Sequence, residues 1–227
     1  RRPKMATTLI PTDLQVDGAI TATTGVASVA AGAIANAQVS SSAAIARSKL
    51  EQNILMSYPV NLVDLRVWDA MQTNLPGTSA NDDLALIGGT FASASPTIQT
   101  SDMKTLTATR YARCLMALPA EYDNGESVQI RFHAGMKTAV SDTTATVDVE
   151  AYESDRAEGI SADLVTTSAQ DINSLTFADK DFALTSTSLV SGDILDVRIA
   201  VAVNDAAGGT AVIAVLGSVE LLCDIKG

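Results

Sequence analysis

Beyond residue 56 the chain alternates apolar and polar positions with a period of two, the signature of strands with one covered face and one wet face. In residues 128–136 the row Val128, Ile130, Phe132, Ala134 and Met136 alternates with Gln129, Arg131 and His133. Residues 145–151 repeat the scheme, with Ala145, Val147, Val149 and Ala151 set against Thr146, Asp148 and Glu150. Residues 195–203 do so again through Leu195, Val197, Ile199, Val201 and Val203. The runs RYARCLMALP (110–119) and AVIAVLGSVELLCDI (211–225) are more continuously apolar and predict strands covered on both faces or at an oligomer contact. Shorter strands are predicted in LVDLRVW, PTIQT and KDFALT. Turn chemistry separates these runs at Leu75-Pro76-Gly77, Asp123-Asn124-Gly125, Ser191-Gly192-Asp193 and residues 204–209. Many short strands without long intervening helices predict a mainly β fold, an antiparallel β-sandwich with the jelly roll as one form of it, over residues 57–227.

Residues 1–56 read differently. Ala, Ser, Thr and Gly dominate, with isolated Ile, Val and Leu between them. AIANAQV (33–39) is echoed eleven positions later by AIARSKL (44–50), which aligns Ile34 with Ile45 and Val39 with Leu50. Eleven residues nearly complete three helical turns, so the second copy leans helical. From Ser42 as N-cap, Ala43, Ala46, Leu50 and Ile54 form a narrow stripe that a helix would bury only against copies of itself. Gly18, Gly25 and Gly32 keep the chain upstream extended or irregular. The expectation is an extended and partly helical arm for anchoring and oligomerisation through Ile34, Val39, Ala43, Ala46, Leu50 and Ile54. The same composition also suits a mobile tail.

Charge sharpens this division. Residues 1–50 hold five basic and two acidic residues, and the remainder ten and twenty-four, so a basic arm precedes an acidic body. With 15 basic and 26 acidic residues in 227 and a net charge of -11, the chain repels phosphate backbones, and nucleic-acid binding is not expected. No stretch reaches the roughly 18 apolar residues of a membrane-spanning helix. The first residues read as no secretory signal.

Candidate chemistry is sparse. His133 is the sole histidine, so a catalytic triad or a multi-histidine metal site is not available. Cys114 and Cys223 sit in apolar runs at no metal or redox spacing and read as buried thiols. Asp148, Glu150 and Asp196 lie on outward strand faces, where carboxylate pairs could serve glycoside hydrolysis but where any solvated face also carries acids. Asn81-Asp82-Asp83 and Asp179-Lys180-Asp181 could offer calcium loop oxygens, yet neither has EF-hand spacing. No nucleotide-binding glycine motif is present. The expectation is no catalytic residue, no cofactor and no metal.

Residues 10–52, and in them ANAQVS…AAIA.SKL, resemble the N-terminal arms of tailed-phage virion proteins, in particular trimeric fibres and head-decoration proteins. LPAEYDNGESVQIRFHAG, ATVDVEAYESD and SGDILDVRIAVAVND are similar in strand rhythm to β-sandwich modules of phage structural proteins. The resemblance implies a non-enzymatic homotrimer, assembled in the host cytoplasm into a virion as a capsid decoration or head fibre, with Arg47 and Lys49 meeting the capsid or another virion protein. Its alternative is a tail-associated fibre or adhesin that binds a host-surface receptor or glycan, with Trp68 and Tyr122 as contacts.

Overall fold

Alternating sequence becomes two facing antiparallel sheets in the computed structural model, which describes residues 53–154 and 157–226. The strands are β1 (Asn53–Pro59), β2 (Arg66–Val67), β3 (Ala70–Asn74), β4 (Ala85–Ile87), β5 (Thr97–Gln99) and β6 (Thr107–Ala117). They continue with β7 (Val128–Lys137), β8 (Thr144–Ser154), β9 (Gln170–Asp171), β10 (Ala178–Ala183), β11 (Ile194–Asn204) and β12 (Ile213–Lys226). Sheet A runs β10-β7-β12-β5-β4, with β1 also paired to β12; sheet B runs β3-β2-β6-β11-β8-β9. From β6 to β8 and again from β10 to β12 the chain changes sheet at every step, so its longest strands face one another across the core. The architecture is the β-sandwich expected.

The predicted apolar rows are the core. Ile130 and Phe132 of β7, Val147 of β8 and Val197 and Ile199 of β11 are fully buried, and Phe132 packs edge-on against Phe182 with ring centroids 5.8 Å apart. Both cysteines are buried and unpaired with each other; burial pushes the Cys114 thiol up to about 12 and that of Cys223 up to about 11. Gly135 marks a close approach, since a Cβ there would meet the Phe177 ring at 2.9 Å. β12 keeps both faces covered over Leu221–Asp224, as its continuous apolar run predicts.

One expectation is narrowed and one corrected. β6 is not covered on both faces: Ala112, Cys114 and Met116 point into the core, while Leu115 is 52% exposed on the outer row that also carries Tyr111 and Arg113. Its apolar run looked continuous because Leu115 and Ala117 extend the outer row next to the buried one. Tyr122, expected at a binding surface, is fully buried, and its hydroxyl donates to the Glu126 carbonyl at 2.7 Å.

β1 spans position 56, where the arm was expected to end, and Ile54 belongs to this strand, opposite Ile225 of β12. Ile54-Leu55-Met56 shows no alternation, which hid the strand from periodicity. Ile34, Val39, Ala43, Ala46, Arg47, Lys49 and Leu50 lie outside the described residues.

Candidate functional site

The outer face of sheet B brings aromatic and paired charged groups together around a cleft. Local alternation aims each side chain. Leu65 and Val67 are buried, so the intervening Arg66 and the following Trp68 turn outward. In β6 the outward row is Tyr111, Arg113 and Leu115, in β8 Asp148, Glu150 and Tyr152, and in β11 Asp196, Arg198 and Ala200. Pairing then sets these rows side by side: Arg66 faces Arg113, Arg113 faces Arg198, and Arg198 faces Glu150. Three arginines thus stand abreast across β2, β6 and β11.

Like charges on directly opposed positions destabilise a sheet unless counter-charges intervene. They do. Asp196 sits two residues from Arg198 and takes a bidentate clasp from Arg113, whose Nε donates to Oδ1 at 2.6 Å while Nη2 donates to Oδ2. Arg198 Nη2 donates to Glu150 Oε1 at 2.5 Å, and the Tyr152 hydroxyl donates to the other oxygen, Oε2, at 3.3 Å. The Asp196 hydrogen bond raises the Arg113 pKa above its ordinary value, and burial followed by the Glu150 charge raises that of Tyr152. Arg198 also lies over two rings, its guanidinium carbon 5.3 Å from the Trp68 centroid and 5.2 Å from that of Tyr111. The two rings are tilted at 47° and 5.2 Å apart, and Trp68 Nε1 donates to Asp82 Oδ2 at 3.0 Å.

These groups line a cleft of about 290 Å³ walled by Trp68, Asp69, Arg113, Glu150, Tyr152, Ile160, Asp196 and Arg198. Trp68, Tyr152 and the exposed Ile160 supply its apolar groups, and the paired Arg113–Asp196 and Arg198–Glu150 supply carboxylate oxygens and guanidinium nitrogens. Such a surface can lay an aromatic or aliphatic wall against the C–H face of a pyranose ring while carboxylates accept, and guanidinium groups donate, hydrogen bonds to ring hydroxyls. Asp82, which holds the Trp68 indole, is followed by Asp83, bridged to Tyr111 of β6. Burial, then the Asp82 and Asp69 charges, raises the Asp83 pKa, and its Oδ1 is buried without a partner.

Sequence-predicted chemistry distributes itself over this geometry unevenly. Trp68, Glu150 and Asp196 meet in the cleft. Asp148 shares the outward row of β8 with Glu150, and its Oδ1 accepts the Val149 N–H at 2.9 Å. His133 and the Asp179-Asp181 pair are on sheet A: His133 Nδ1 lies 2.7 Å from Asp179 Oδ1, and Arg131 clasps Asp181 at 2.6 and 2.8 Å. Both stretches weighed for calcium, the second of which lies in β10 and not in a loop, therefore have carboxylates engaged by neighbouring side chains, and no group of three or more His, Cys, Asp or Glu among the described residues is placed to hold a metal ion. Arg113, Tyr152 and Arg198 were not singled out from the sequence. Their signal was an arginine or tyrosine on the polar row of each central strand of sheet B.

The acid response of the body draws on three carboxylates held below their ordinary pKa, of which Asp142 is held by the Ala206 N–H. The Arg131 clasp holds the Asp181 pKa below its ordinary value, and the Val212 N–H does the same for Asp102. A depressed carboxylate contributes stability above its unfolded pKa, about 3.9, and loses that contribution as pH falls through the lower folded value. The unfolding temperature is therefore expected to fall as pH drops below about 4, and Arg131→Gln to flatten that acid limb. Thermal unfolding followed by circular dichroism between pH 2 and 7 checks both.

No protein-family profile and no curated protein sequence matches the chain. Comparison of folds finds weak likenesses. A family 16 carbohydrate binding module is 12% identical with a TM-score of 0.38, covering 64% of this chain and 88% of its own. The CBM22-2 xylan-binding domain of Paenibacillus barcinonensis Xyn10C is 10% identical with a TM-score of 0.39, covering 74% and 98%. The enzymatically active domain of bacteriophage CBA120 tailspike protein 4 is 12% identical with a TM-score of 0.31, covering 76% of this chain and 19% of that one. Values this low assign neither family nor ligand.

Proposed function

We propose that this chain is a non-enzymatic attachment protein whose sandwich binds a glycan in the sheet B cleft, held on a larger assembly by its N-terminal arm. The carrying observation is the convergence of Trp68, Tyr152 and Ile160 with the Arg113–Asp196 and Arg198–Glu150 pairs on one open sheet face. Apolar walls around fixed polar groups suit a polyol with one apolar ring face. In this reading Glu150 and Asp196, each accepting from an arginine, serve as oriented acceptors for sugar hydroxyls. The arm's resemblance to those of tailed-phage virion proteins places the assembly, in this reading, among virions, with the chain as a tail-associated fibre or adhesin. The capsid-decoration homotrimer draws on the short arm and the aromatic-poor body, and ranks behind it.

Affinity electrophoresis of the full chain through gels containing soluble xylan, β-glucan, mannan or polygalacturonate tests the proposal. Retardation by at least one polysaccharide is expected. Free migration through all four, and through gels containing polysaccharide from a susceptible host, would refute it.

A further inference from the structure

Two cations and three anions wall the sheet B cleft: Arg113 and Arg198 against Asp69, Glu150 and Asp196. Arg113 is clasped to Asp196 and Arg198 is paired with Glu150, which leaves the exposed Asp69 carboxylate as the surplus charge. Acids just outside the cleft extend the same sign. Asp82 holds the Trp68 indole, and Asp148 lies two positions from Glu150 on the outward row of β8. Arg66 stands beyond Arg113, on the side away from Glu150 and Tyr152, and does not wall the cleft. All of this sits in a chain of net charge -11.

Both sides of the cleft disfavour a further negative charge. On the β8 side, burial and then the Glu150 and Asp163 charges raise the Tyr152 pKa; on the Trp68 side, burial and then the Asp82 and Asp69 charges raise that of Asp83. The arginines do not offset this for a ligand. Asp196 is only 9% exposed, so an acidic sugar that drew Arg113 away would leave a largely buried carboxylate without its counter-charge, a strongly destabilising change. A cationic sugar fares no better, because the Trp68 and Tyr111 rings whose faces it would seek already carry the Arg198 guanidinium.

We infer that the cleft takes an uncharged glycan and excludes sugars that carry carboxylate or sulfate groups. This specificity rests on the glycan reading above. Sugar hydroxyls can donate to Asp69 and accept from the guanidinium groups, which keep N–H donors to spare, without breaking either ion pair. A carboxylate or sulfate must oppose Asp69 or displace Asp196 or Glu150, so the same charges that orient a neutral sugar act against an acidic one.

Affinity electrophoresis of the full chain tests the inference with three gels: the neutral polysaccharide that retards it, and the hydroxyethylated and carboxymethylated forms of that polymer at matched substitution. The hydroxyethylated form controls for bulk. The carboxymethylated polymer is expected to bind at least about tenfold more weakly than the hydroxyethylated one at low ionic strength, a gap that shrinks as salt screens the cleft. Asp69→Asn, which keeps the side chain's size and removes the surplus charge, is expected to narrow that gap about threefold. Glu121→Gln makes an equal change of net charge at an exposed residue outside the cleft and should leave the gap as it is. Equal or tighter binding of the carboxymethylated polymer, or retardation by polygalacturonate alone, would overturn the inference and leave the glycan reading standing. A gap that Asp69→Asn does not alter, or that Glu121→Gln narrows equally, would also overturn it, since charge in the cleft would not be its cause. Retardation by no polysaccharide would remove the glycan reading and this specificity with it.

Discussion

Trp68→Ala is expected to weaken glycan binding by roughly thirtyfold or more, the loss of about 2 kcal/mol that accompanies truncation of an aromatic anchor. The side chain stands at one end of the cleft, its Nε1 bound to Asp82 and one face under the Arg198 guanidinium. Its removal takes away both an apolar wall and the ring that orients Arg198. Because Trp68 is half-buried, the variant also loses packing, so affinity is compared by titration calorimetry at a temperature where unfolding curves show the variant folded. Arg198→Gln provides the companion measurement. It leaves the Trp68 ring in place and deletes the charge that pairs with Glu150, so it should weaken binding less than the tryptophan substitution. An affinity reduced less than threefold by Trp68→Ala would remove the cleft from the account.

The largest stability effect is expected at Phe132, which is fully buried on β7 and meets the Phe182 ring of β10 edge-on. Phe132→Ala should cost about 3–5 kcal/mol, transfer and cavity together. In a body of this size that lowers the unfolding temperature by roughly 10 °C. Urea denaturation should show a reduced midpoint with an unchanged slope. A loss below about 1 kcal/mol would mean that β10 does not close the core as described.

Strand patterning carried the fold into the sequence most legibly where one face is dry and the other wet. β7, β8 and β11 are such strands, and their inward rows are those the alternation named. β6 was half legible: its buried row was evident, but Leu115 on the outer row masked the exposure of that face. β1, β3 and β4 were not legible, because edge strands need no alternation and take their register from a neighbour.

The cleft was less legible than the fold, for a reason of register. Arg113, Glu150 and Arg198 are separated by dozens of positions, and only the pairing of β6, β11 and β8 makes them neighbours. A sequence shows that Glu150 points outward; it does not show that an arginine stands opposite. Tyr122 illustrates the converse, an aromatic in a turn-rich stretch whose hydroxyl finds the Glu126 carbonyl inside and so never reaches the surface.

Trp68 is the only tryptophan in the chain, so its fluorescence reports on the cleft without labelling. Titrating the full chain with an oligosaccharide from whichever polysaccharide retards it tests the central claim most directly. The account predicts a saturable change in Trp68 emission that follows the binding isotherm and that the parent polysaccharide reproduces. Saturable binding with unchanged Trp68 emission would place the sugar elsewhere on the molecule and contradict it.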